Sequence, residues 1–213
     1  MVNKEFGFVL KRFFPKKHKF SVLTKTRGKL EIVPSPINFS KRLWPGMLIS
    51  FVLTPTNTKI YFANSLDILF APLEEAGDNL IWIHSLLELC YYFSPPENPS
   101  EDAFQLLHRA FTFVYFAKYF DDSFSVLKKM FTMKLLKSFG FFPDETTFFY
   151  FSQFERMVLG SVDFPNKREV KSLKMSLDKV DEEEKKVMDS WIKKCLMRHP
   201  GSHLFKTLLF KNG

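Results

Sequence analysis

Two pairs of side chains stand at metal-ligand spacing. His84 and Glu88, and likewise Cys195 and His199, are four residues apart, which places each pair on one helix face. Two ligands do not make a metal site, and neither pair has an evident third member. The acidic runs Asp121-Asp122 and Glu182–Glu184 read as helix amino-terminal acids and not as a two-metal nuclease centre. The 8 glycines are scattered, so no phosphate-cradling loop and no nucleophile elbow forms. These residues predict a protein that is not an enzyme and carries no metal or cofactor.

Charge is the stronger signal. Residues 1–60 hold 12 Lys and Arg against two acids, a net of +10, while the other 153 residues hold 19 bases and 21 acids. Such segregation points to a basic amino-terminal unit with a polyanionic partner, attached to a near-neutral body. The candidate nucleic-acid contacts are Lys11, Arg12, Lys16, Lys17, Lys19, Lys25, Arg27, Lys29, Lys41 and Arg42. Lys11 and Arg12 are neighbours on one strand, so at most one of them is expected to point outward from a barrel. Phe13, Phe14, Phe20, Phe39 and Trp44 are interleaved with these cations and could stack on bases. Most of the 27 phenylalanines must fill the core, and Trp44, before Pro45-Gly46, is the better candidate for exposure. A second basic group, Lys118, Lys128, Lys129, Lys134 and Lys137, lies among Phe120, Phe124 and Phe131. With Phe131 it forms a candidate partner site, a basic groove with apolar pockets, or else the wet face of an amphipathic helix.

These residues need elements to hold them. Phe6–Phe14, Lys19–Thr24, Leu30–Val33, Met47–Leu53, Lys59–Ala63 and Leu66–Phe70 read as short strands separated by turn residues. Gly28 can supply a positive φ in one connection. Short strands with tight turns over about 70 residues suit a small closed barrel of OB type, because closure removes exposed edges. A small open sheet covered by later helices fits almost as well. After Pro72 the apolar period becomes helical. Helices are predicted over Asp78–Ser94, from a Ser100 cap through Val114, from Asp121 or Ser123 to a Gly140 carboxyl cap, over Asp181–Arg198, and over Ser202–Phe210. Thr146–Phe151 could be strand or helix, and 143–180 is left irregular. The expected fold is thus α+β: a five-stranded OB barrel over 1–72 and an α-helical domain over 73–213.

Cys90 and Cys195 are the only cysteines, which excludes a disulfide scaffold and a cysteine-built zinc site. No stretch approaches 18 apolar residues and no signal-peptide core is present, so a reducing cytoplasmic setting is expected, nucleoid-associated if the basic unit binds DNA.

The order of features resembles the bacterial DNA recombination and repair protein RecO family. Phe8-Val9-Leu10-Lys11-Arg12 is similar to that family's opening strand, and Leu23-Thr24-Lys25-Thr26-Arg27-Gly28-Lys29-Leu30 to its threonine-containing hairpin. Leu43-Trp44-Pro45-Gly46-Met47 resembles the segment leading into the next strand, and Leu86-Leu87-Glu88-Leu89 the first long helix. Phe131–Phe141 resembles an apolar helix ending in leucine, a glycine and an aromatic. Many members carry a four-cysteine zinc finger after that helix; Pro143–Lys167 has no cysteine, so the finger is absent. The resemblance implies binding of single- and double-stranded DNA, strand annealing, and help in loading a recombinase. As partners it implies RecR and the acidic tail of the single-strand-binding protein. An OB-type RNA-binding factor, or an adaptor docking an acidic protein or anionic membrane, are the alternatives.

Overall fold

A computed structural model describes residues 4–13, 18–71, 79–115, 120, 122–141 and 167–205. Five strands, β1 (Glu5–Arg12), β2 (Phe20–Thr24), β3 (Gly28–Pro34), β4 (Leu48–Thr54) and β5 (Ile60–Phe70), close into a barrel in the order β1-β2-β3-β5-β4. β1 pairs antiparallel with both β2 and β4, and a parallel β3–β5 ladder completes the ring. This is the OB arrangement, and closure excludes the open-sheet alternative. Among the described residues five α-helices follow: α1 (Leu80–Phe93), α2 (Glu101–Tyr115), α3 (Ser123–Ser138), α4 (Lys167–Leu177) and α5 (Glu182–Arg198). Among the described residues no helix is long and apolar enough to cross a membrane.

The barrel interior is filled by alternate strand residues, among them Val9, Phe20, Val22, Ile32, Ile49 and Phe51, all fully buried. The β2–β3 turn is built locally. Thr24 Oγ1 accepts from Arg27 N and donates to the Gly28 carbonyl, each at 3.0 Å, and Gly28 takes φ +72.

β5 differs from the expected pair of strands, Lys59–Ala63 and Leu66–Phe70. It is one strand of 11 residues, kinked at Ser65 with φ +48. Ser50 opposes Asp67 while Val52 opposes Asn64, so β5 carries one extra residue there. The bulge shifts the inward phase, and Ala63 and Leu66 both enter the core. It lets β5 pair with β3 through residues 60–63 and with β4 through 62–70.

The chain divides into two compact units within α2, one reaching Gln105 and the other running from Leu106 to Phe205. In the first, α1 lies over β1 and β2. Every β2 residue is therefore buried, including Ser21 and Leu23 on the face away from the barrel core. The Lys29 ammonium donates to the Tyr91 carbonyl at 2.5 Å, satisfying an otherwise orphaned oxygen in the last turn of α1. Pro96 then bridges to Lys29, and Glu97 N donates to the Lys29 carbonyl at 3.0 Å. This segment occupies the β3 edge ahead of the point, Glu31, where β5 begins to pair.

In the second unit α3 is flanked by α4 and α5. α3 ends in a Schellman motif: Phe141 N reaches Leu136 O at 3.1 Å, Gly140 N reaches Lys137 O at 2.9 Å, and Gly140 has φ +92. α5 starts with a capping box between Asp181 and Glu184. Within 143–180 the stretch Lys167–Leu177 is helical, whereas Thr146–Phe151 lies outside the described residues. Of the final helix expected over 202–210, Ser202–Leu204 forms a 3-10 turn, and 206–210 fall outside the described residues.

Candidate nucleic-acid interface

The end of β1 carries adjacent cations that reach one cleft. The register of β1 shifts by one residue between Val9 and Lys11, so that Lys11 opposes Ser21 and Arg12 opposes the inward-facing Phe20; the two cations alternate on this reset phase. The expectation that only one of them is available fails for a positional reason. Arg12 is the last residue of β1, and at the rim the inward direction leads out over the barrel end. Its guanidinium lies 5.7 Å from both the Phe20 and the Trp44 ring centroids. Lys11 passes along the outer face to α1, where its ammonium is 4.3 Å from the Tyr91 centroid, 5.7 Å from Tyr92 and 5.8 Å from Phe13.

The cleft encloses about 470 Å³ and is lined by Leu10, Lys11, Arg12, Trp44, Pro45, His84, Leu87, Glu88, Tyr91 and Tyr92. Three segments build it. β1 supplies the cations. The β3–β4 connection supplies Trp44-Pro45, fixed to β1 by Gly46 N donating to Val9 O at 2.7 Å and Val9 N to Met47 O at 2.9 Å. α1 supplies His84, Leu87, Glu88, Tyr91 and Tyr92, whose spacing is that of one helical face. Burial pushes the His84 imidazole below its ordinary pKa, with Glu88 partly opposing. The phenols of Tyr91 and Tyr92 are pushed up, chiefly by burial. At neutral pH the α1 wall thus offers a neutral imidazole and two phenolic hydroxyls beside the Glu88 side chain.

The other candidate cations are distributed differently. Lys41 and Arg42 are exposed beyond the same barrel end, Arg42 lying 4.9 Å over the Phe39 ring. Lys19 forms an ion pair with Glu31 and lies 4.8 Å over Phe13. Lys25 pairs with Glu101 at 3.4 Å, and Arg27 with Glu5 at 3.5 Å. Their hairpin is at the far end of β1 from Arg12, since Gly7 opposes Thr24. Lys29 is held beneath α1, where burial lowers its pKa. Lys16, Lys17 and Phe14 lie outside the described residues. Phe20 is core, Phe39 packs against the core, and Trp44 is 49% exposed.

In the helical unit Phe131 is core, 1% exposed, with Phe113 5.6 Å away. Phe120 and Phe124 are likewise buried, so the apolar pockets expected of a partner groove are filled by these rings themselves. Lys128 lies 5.0 Å over Phe124, and Lys129 is tied to Asp189 at 2.5 Å. Lys134 and Lys137 are half-buried on α3. Lys118 lies outside the described residues. His84 and Glu88 share the cleft, but among the described residues no three His, Cys, Asp or Glu side chains are grouped to hold a metal. His199 Nδ1 accepts from Gly201 N at 2.9 Å.

Sequence reading marks Lys11, Arg12 and Trp44 but misses the α1 wall. Tyr91 reads as part of an apolar stripe, and His84–Glu88 as two residues at metal-ligand spacing that lack a third member. The signal for that wall is two adjacent tyrosines about two turns beyond a histidine, detectable once α1 is known to cover β1. Compared with known proteins, the chain matches no family model and no curated protein.

Proposed function

We propose that the protein is a non-catalytic DNA-binding and strand-annealing mediator of RecO type, acting in recombinational repair. The observation that carries this reading is the grouping of Lys11, Arg12 and an exposed Trp44 at one end of a closed OB barrel, with Lys41 and Arg42 beyond them. Cations on such a barrel neutralise phosphates without regard to sequence, and an aromatic accepts any base. Screening phosphate repulsion lets two complementary strands approach, which is the physical requirement of annealing. The resemblance to the RecO family adds RecR and the acidic tail of the single-strand-binding protein as partners, and a role in recombinase loading.

The test is a fluorescence-anisotropy titration of labelled single-stranded DNA across a salt series. Engagement of four phosphates gives a log–log slope of roughly −3, and of six roughly −4. Charge reversal at Lys41 and Arg42 weakens all sequences alike and flattens the slope by about one to one and a half. Absent or salt-insensitive binding overturns the reading. RNA displacing DNA at lower concentration redirects it to an RNA-binding factor.

A further inference from the structure

We infer that the cleft between β1, the Trp44-Pro45 segment and α1 holds one unpaired nucleotide, its base against the Trp44 indole and its phosphate on Arg12 and Lys11. The protein thereby separates single strands from duplex. The inference rests on the nucleic-acid reading above and gives it a site and a strand preference.

Three observations meet at this place. The first is size: about 470 Å³ is at the small end of ligand pockets, which run from about 300 to 1,000 Å³. It has room for one nucleotide and not for a base pair with its stacked neighbours. The second is the indole. Trp44 is 49% exposed, while Trp82 and Trp191 are 3% and 9% exposed. A tryptophan turned to water at a cleft wall offers a π-face that stacks with every base. The third is that the cations are already in place. Lys11 is confined by the Tyr91, Tyr92 and Phe13 rings, and Arg12 by Phe20 and Trp44. Little side-chain freedom is lost when an anion arrives.

These positions impose strandedness. In a duplex the bases are stacked inside and the phosphates lie on a convex outer surface. A base can meet Trp44 while its phosphate meets Arg12 only if it is unpaired or has been extruded at a cost. Stacking supplies affinity without a sequence code.

The experiment uses the full chain at one salt concentration with three nucleic-acid probes (oligothymidylate, an abasic deoxyribose-phosphate strand of equal length, and a blunt duplex) and with oligoglutamate as a polyanion control. Trp44 is the exposed tryptophan and reports stacking by its emission. Oligothymidylate quenches that emission and binds about tenfold tighter than the abasic strand, the range of about 1–3 kcal/mol for stacking one base allowing from about five- to about 160-fold. The duplex, which offers phosphates but no free base, binds more weakly than oligothymidylate and leaves the emission unchanged. Trp44→Ala brings oligothymidylate down to the abasic level, and Arg12→Gln weakens both strands while retaining the reporter.

Equal binding of oligothymidylate and abasic strand, with unchanged emission, overturns the inference and leaves nucleic-acid binding intact. Binding of none of the three removes the underlying reading as well. Quenching by oligoglutamate but not by oligothymidylate assigns the cleft to an acidic peptide and also overturns it.

Discussion

His84 stands in the cleft wall with Lys11, Arg12, Glu88, Tyr91 and Tyr92 around it, and its neutral form is favoured by burial. An arriving phosphate reverses that preference, because it stabilises the imidazolium. Affinity for single-stranded DNA therefore rises as pH falls below neutrality, with proton uptake on binding, and His84→Gln removes this dependence. Isothermal titration in buffers of different ionisation enthalpy reads the proton directly. Without ligand the sign is opposite. The unfolded imidazole titrates near 6.5 and the folded one lower, so below 6.5 the unfolded chain takes up protons first and stability falls with falling pH. Urea midpoints between pH 7.5 and 5.5 check this, and His84→Gln flattens part of the decline; His108, also lowered by burial, accounts for another part. Gly28 is the other residue with a sharp expectation. It has φ +72, and an added Cβ would fall inside the Asn98 carbonyl. Gly28→Ala costs about 2–4 kcal/mol, measured by denaturant titration.

Elements divide the candidate cations into working and structural sets. The β2–β3 hairpin holds Lys25 and Arg27 against Glu101 and Glu5, and Lys29 caps α1. The β1 end presents Lys11 and Arg12 to the cleft. Charge reversal at Lys25 and Arg27 lowers DNA affinity less than reversal at Lys41 and Arg42, while Lys29→Ala lowers thermal stability more than affinity. Anisotropy and melting measurements on the same samples separate the two. In the helical unit, Asp181→Ala removes the capping box and costs about 1 kcal/mol with no change in DNA binding. Strands β1 to β4 were legible because turn residues bound each apolar run, and this holds even for β1, whose register shifts between Val9 and Lys11. β5 was split in the reading because the bulge at Ser65 changes its phase midway. The helix caps at Ser100 and Gly140 were legible because they depend only on residues within a turn, whereas Asp181, read as the first helical residue, is the N-cap. The cleft was not, because its walls come from residues 10–12, 44–45 and 84–92, and no local pattern reports their meeting.

At the scale of the whole molecule, the +10 of the first 60 residues does not translate into one continuous patch. Part of it is spent within the first unit on Glu5, Glu31, Glu101 and the Tyr91 carbonyl. A charge count therefore overstates the number of phosphates that can be engaged, and the salt slope is expected nearer −3 than −7, which ten engaged cations would give. The α1-to-α2 connection adds a further consequence. It lies along β3 where a barrel of this topology leaves a seam, with Pro96 and Glu97 at Lys29 and the Glu97 carboxylate accepting from Tyr61 at 2.9 Å. A stray polypeptide seeking to add itself as a sixth strand finds the berth taken by the chain's own proline-rich tether, so this corner is guarded against polymerisation by β-addition.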